Sequence, residues 1–238
     1  MTITSDYQEH VEISKKLKVS ESFIKAREPY KESFEKIYNE AKEQNVDMSS
    51  AKKFLNSLSK EELSSLQNYS LLWDKINVSE LNEEGAYNLL LHHYEKYDFN
   101  NDGVISDGIA TTGSLIPVNM PNDEKEALIE TLNEMPNFES FMALSMINAP
   151  SVVMYDSGSI GLTQNNTYMD YQAIKDRVNK ILNPKPNEYS SPELKLLMSN
   201  FLEIFEKKFN QRTEQQEYLK NQNHNDAQIT KAKIQYEN

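Results

Sequence analysis

"SELNEEGAYNLLLHHYEKYDFNNDGVISDG", residues 79–108, runs from a helical pattern straight into a bend crowded with oxygen-bearing side chains. Leu81, Tyr87, Leu90, Leu91 and Tyr94 recur at helical spacing and predict one apolar face turned to a core. The pattern stops at Tyr97. Asp98, Asn100 and Asp102 then alternate towards Gly103, a residue type that accepts backbone reversals other side chains resist. A helix feeding such a bend predicts a mainly α fold with one specialised loop.

The flanking chain agrees. Phe34, Ile37 and Tyr38 predict a helix over 28–43, with Pro29 tolerated in its first turn. A further helix is expected after Asp47, capped by Ser49 or Ser50, and "SKEEL" at 59–63 is a capping box that starts another. Beyond the bend, "IATTGSLIPVNMP" (109–121) reads as an extended connection. Asn122 is the expected cap of "NDEKEALIETLNEM", and "FESFMALSMI" (138–147) is expected to be the most buried helix. "SVVMYDSGSIGLT" (151–163) reads as a hairpin, or a strand and turn, and residues 167–182 return to helix. Ser191-Pro192-Glu193 starts the last helix, whose apolar stripe fades after Gln211. The expected organisation is a polar arm over 1–18, with His10 in it, then one helical domain over 19–210. A polar helix or arm over 211–238 follows.

Composition narrows the partners. A net charge of −12 without a basic block argues against nucleic acid and anionic membranes. The chain has no cysteine, which excludes disulfides and thiolate metal sites. The N-terminal stretch lacks the apolar core of a signal peptide, so the cytoplasm is the default expectation, with leaderless export as the alternative. Mean hydropathy of −0.71 predicts much exposed helix.

The bend has the chemistry of a hard-cation site. Calcium takes 6–8 oxygens, and a twelve-residue loop supplies them from positions one, three and five, a carbonyl at seven, and a water-mediated group at nine. Here those are Asp98, Asn100, Asp102, Val104 and Ser106, with Gly103 at six and Ile105 as the apolar plug at eight. The stretch thus resembles the EF-hand family, over the incoming helix and about two-thirds of one loop. It departs at position twelve, where Ile109 replaces the bidentate carboxylate. Asp107 is the expected substitute, and Asp123 or Glu124 could reach back instead. With the shortened ligand set, calcium would bind weakly, in the millimolar regime. The alternative is a metal-free, Asx-rich turn in which Asp98 caps the preceding helix and accepts backbone amides.

Ile105 and Ile160 are expected on adjacent strands, as a pseudo-paired loop would place them. His92, His93 and Glu95 could share a helix face, but zinc needs a third ligand that the sequence does not announce. No nucleophile–base set assembles, so an enzyme is not expected. The order "LSKEELSSLQ", "VSELNEEGAYNLLL", bend and Pro-containing extension is similar to a group of uncharacterised bacterial proteins over about residues 50–147. That likeness implies one structural unit and no activity. The leading expectation is a non-enzymatic, calcium-stabilised or calcium-modulated binding protein. The alternative is a metal-independent scaffold or oligomerisation protein that meets a protein partner through Leu194, Leu197, Phe201 and Ile204 on the 191–209 helix. The same stripe is equally consistent with internal core, the commoner use of an amphipathic face.

Overall fold

A computed structural model describes residues 5–102, 105–112, 116–117, 120–148, 151–154, 160–163, 169–186 and 188–236. The fold is mainly α. Helices α1 (Ser5–Ser14), α2 (Glu21–Arg27), α3 (Lys31–Glu43), α4 (Met48–Leu55), α5 (Lys60–Tyr69) and α6 (Glu83–Asn88) precede strands β1 (Ile105–Asp107) and β2 (Ala110–Thr112). Helices α7 (Asn122–Glu134) and α8 (Asn137–Asn148), strands β3 (Ser151–Met154) and β4 (Ile160–Thr163), and helices α9 (Tyr171–Leu182) and α10 (Pro192–Tyr236) complete the chain.

Local signals set most helix starts. A 3₁₀ turn over Glu28–Tyr30 carries Pro29 and runs into α3. The cap of α4 is Asp47, not Ser49 or Ser50. Its carboxylate accepts the Ser50 amide at 3.0 Å while Ser50 Oγ accepts the Asp47 amide at 2.9 Å. A carboxylate holds the helix dipole better than a hydroxyl does. The Ser59–Glu62 box closes as its spacing predicts, at 2.9 and 3.2 Å. Asn122 is the first residue of α7 rather than its cap, and no side chain caps that helix.

Two buried apolar clusters stand where one core was expected. Phe34, Ile37, Leu55, Leu66 and Leu89 centre the first, which α3 to α6 build, and Phe34 stacks on Tyr69 at 3.8 Å. Leu128, Ile129, Ile147, Ile174, Phe201 and Phe205 centre the second, built from α7, α8, α9 and α10. Helix α8 contributes Ala143 and Ile147 to it but leaves Phe138 and Phe141 exposed, so it is half-buried rather than the most buried helix.

Helix α1 is not a free arm. It packs on α7 and buries Val11 and Ile13, while Tyr7 meets Tyr97 and Phe99 with ring centroids 5.3 Å away in each case. Its polarity concealed this, because the docking face mixes apolar residues with Tyr7 and His10. His10 is 2% exposed, edge-on to Tyr97 at 5.2 Å.

The strands form separate antiparallel hairpins: Ile105 pairs with Thr112, and Ile160 with Met154. The expected Ile105–Ile160 bridge is therefore not formed. Gly108, at φ +63°, opens a two-residue turn that folds β2 onto one edge of β1, while Glu84 and Asn88 take the Ser106 amide and carbonyl on the other. Among the described residues no helix is long and apolar enough to cross a membrane.

The docking of α1 has a pH signature. Burial lowers the His10 pKa from 6.5 to about 3, with Lys125 adding to the effect. A depressed folded-state pKa means stability that is complete above pH 6.5 and is lost as pH falls towards 3. Between pH 7 and pH 5 the loss from this group is about 2 kcal/mol. Thermal melts of the native chain and His10→Asn across that range should diverge, the native chain losing more. Parallel curves would mean that His10 is solvated and α1 undocked.

Candidate metal loop

Helix α6 is shorter than the 79–94 pattern suggests because its polar residues serve the bend rather than solvent. Asn82 caps it, its Oδ1 accepting the Gly85 amide at 2.6 Å and its Nδ2 donating to Ser106 Oγ at 2.9 Å. Glu84, 1% exposed, turns its carboxylate into the bend. Oε1 accepts the amides of Phe99 at 2.6 Å and Asn100 at 3.3 Å, and Oε2 accepts that of Ser106 at 3.0 Å. One turn later the fully buried Asn88 donates to the carbonyls of Tyr97 at 3.0 Å and Ser106 at 2.8 Å, and accepts from the Tyr97 amide at 3.2 Å. Both limbs of the bend are thus bonded to one face of α6.

Two glycines permit the approach. A Cβ on Gly85 would lie 2.2 Å from the Gly108 carbonyl oxygen, and the Gly108 amide donates to the Gly85 carbonyl at 3.1 Å. Gly108 also occupies the left-handed region, where a side chain would be strained.

At the tip, the Asp102 amide donates to Asp98 Oδ1 at 3.1 Å and Asn100 Oδ1 at 2.8 Å. Asn100 Nδ2 donates to Asp102 Oδ2 at 3.1 Å. Asn101 takes a positive φ of 58°, which asparagine tolerates better than most residues. Asp98 is buried, and Asn100 and Asp102 are exposed. Gly103 and the expected carbonyl ligand Val104 lie outside the described residues.

The other two expected ligands are used elsewhere. Ser106 meets α6 through its amide, carbonyl and hydroxyl. Asp107, the expected replacement carboxylate, forms a buried ion pair with Lys96 through Oδ2. Alternation along β1 explains this: Asp107 points away from the face that Ser106 shows to α6. Glu124 accepts the Tyr171 amide at 2.5 Å in the first turn of α9, which Asp170 caps, instead of reaching back, and Asp123 bonds Gln216 of α10. Among the described residues no group of three or more His, Cys, Asp or Glu gathers as a metal cluster.

Burial lifts the Glu84 pKa above its ordinary value; its three amide bonds oppose the shift and the nearby Asp98 charge reinforces it. Ionisation of Glu84 is therefore less favourable in the fold than in the unfolded chain, and the stability linked to this shift is lost as pH rises through the folded pKa. A cation at the tip would act in the opposite sense.

The remaining singled-out residues fall elsewhere. His92 sits among Phe34, Tyr38 and Tyr94, with its amide donating to Glu95 Oε2 at 3.1 Å, and His93 lies against a cavity described below. On α10, Phe201 is fully buried and Leu194, Leu197 and Ile204 pack partly buried on the same cluster, so this stripe is used internally. Phe205 continues it, stacked on Phe201 at 5.7 Å. Comparison of the chain with family models, curated proteins and solved structures returns no match.

Glu84 was missed because it follows Glu83 and looks like first-turn charge. The available signal was the spacing of Glu84 and Asn88, polar residues four apart between Leu81 and Leu89. Glu84→Ala leaves buried amides unsatisfied and should destabilise the chain by about 2–4 kcal/mol. Gly85→Ala should destabilise it by a separate route, forcing α6 off the hairpin. Denaturant titration measures both. A loss below about 0.5 kcal/mol in each would mean that the clamp contributes no more than an ordinary surface contact.

Proposed function

We propose that the chain is a non-enzymatic binding protein whose 98–107 bend takes calcium weakly, with Asp98, Asn100 and Asp102 as side-chain ligands and Val104 offering its carbonyl. The observation that carries this reading is the shared Asp102 amide, which ties the Asp98 and Asn100 side-chain oxygens into one small region of the tip. Oxygen donors of this kind suit calcium and not zinc. Glu84 supplies negative charge behind them, and its raised pKa is the condition that a bound cation relieves. Ser106 and Asp107 drop out of the ligand set, so water completes the shell and affinity falls in the millimolar range.

A second reading has its own support. The Asp98 carboxylate accepting the Asp102 amide is also the bond of a metal-free Asx turn, and Glu84, Asn88 and the Lys96–Asp107 pair hold the bend with protein groups, as a metal-independent helical scaffold would require. The two readings differ in solution. Terbium emission excited through Tyr97 should rise on titration and be lost in Asp98→Ala. Calcium at ten times its Kd should add about 1.4 kcal/mol. That corresponds to a rise of about 3–6 °C in Tm for a chain of this size. No emission and no change in Tm at about 10 mM calcium would overturn the first reading in favour of the scaffold.

A further inference from the structure

A cavity of about 490 Å³ opens between the two buried clusters, on the far side of β1 from the α6 clamp. Phe23, Leu71, Ile105 and Phe141 give it an apolar lining, and Arg27, Lys96, Asp107, His10 and His93 bring polar groups to it. A smaller lobe of about 190 Å³ continues from it, sharing Phe23, Arg27, His93 and Phe141 and adding Leu132 and Leu144. The size lies in the range of small-molecule sites, as does the mixture of apolar walls with a few convergent polar groups.

Two polar atoms here lack protein partners. Asp107 is 9% exposed and Lys96 satisfies its Oδ2, but Oδ1 is buried with no hydrogen bond. The buried Nδ1 of His10 is also unpartnered. Both atoms are covered on every side, so neither is open to a group bound in the cavity. Arg27 supplies the hook. Its Nε donates to the Tyr69 carbonyl at 3.0 Å and its guanidinium lies 5.9 Å from the Tyr69 ring centre, which fixes its plane. Its terminal nitrogens have no partner among the described residues.

Charge selects among ligands. Burial lowers His93 to about 4 and His10 to about 3, so both rings are neutral at pH 7. Arg27, Lys96 and Asp107 then leave one net positive charge. A zwitterion would not neutralise it, and would bring an ammonium close to Lys96. A dianion would overshoot.

We propose that this cavity binds a small monocarboxylate with an apolar body. The carboxylate is held by Arg27, and the body lies among Phe23, Leu71 and Phe141. A planar guanidinium with two outward N–H groups is the usual bidentate receptor for a carboxylate. The site does not depend on a cation in the bend, so the test is run in chelator.

Calorimetric titration of the full chain with 3-phenylpropionate, phenyllactate, L-phenylalanine and 3-phenylpropanol tests the assignment. The two monoanions should bind most tightly, and replacing the carboxylate by an alcohol or adding an ammonium should weaken binding by about tenfold or more. Arg27→Met should weaken 3-phenylpropionate binding by about 10- to 100-fold. The His10 and His93 ring resonances of the native chain should shift on saturation, a readout that needs no variant. The proposal is overturned if the native chain binds none of the four at about 10 mM, far above the dissociation constant that a charge-assisted site should reach. Equal binding of all four overturns it as well, as does binding that leaves both histidines unmoved.

Discussion

A single buried carboxylate on α6, Glu84, sets the geometry on which the surrounding structure depends. Its oxygens take amides from both limbs of the 98–107 bend, and with Asn88 one turn on it fixes where the chain enters and leaves. That placement orients β1. Ser106 then faces α6, while Ile105 and Asp107 turn to the opposite side and line the cavity. The clamp and the cavity are two faces of one three-residue strand.

Burying a carboxylate is costly unless its lone pairs are satisfied, and amides supply what water would otherwise supply. The raised Glu84 pKa measures how far desolvation still prevails over those bonds. The Lys96–Asp107 pair repeats the pattern one layer away. Burial lowers the Lys96 pKa and Asp107 opposes that shift, while one Asp107 oxygen stays unpaired. Polar groups are thus concentrated around the bend, while the two apolar clusters carry the helices. Helix α1 belongs to this arrangement, since Tyr7 and His10 cover the aromatic side chains at the start of the bend and Ile13 reaches the second cluster.

Much of the helical framework was legible in the sequence because apolar periodicity and capping chemistry act locally. The Ser59–Glu62 box and the Ser191-Pro192-Glu193 start are cases in point. Features that depend on non-local partners were not legible. Glu84 reads as ordinary first-turn charge until the bend is folded over it. Asp107 reads as a loop carboxylate, although strand alternation sends it to Lys96. Gly108, at the first position of the two-residue Gly108-Ile109 turn, is itself a hairpin signal, and reading it as part of a continuing loop led to the unformed Ile105–Ile160 bridge. Polarity likewise hid the docking of α1. The Leu194–Ile204 stripe was legible as an apolar face whose commoner use is internal core, and it packs on the chain's own second cluster.

Amide hydrogen exchange on the native chain in excess chelator, read residue by residue, tests the central claim most directly. If α6 closes the bend, the Phe99 and Ser106 amides exchange slowly without any metal, and at rates close to those of the Tyr97 amide held by Asn88. If those amides exchange at the rate of an open loop and slow only when calcium is added, the cation and not Glu84 organises the bend.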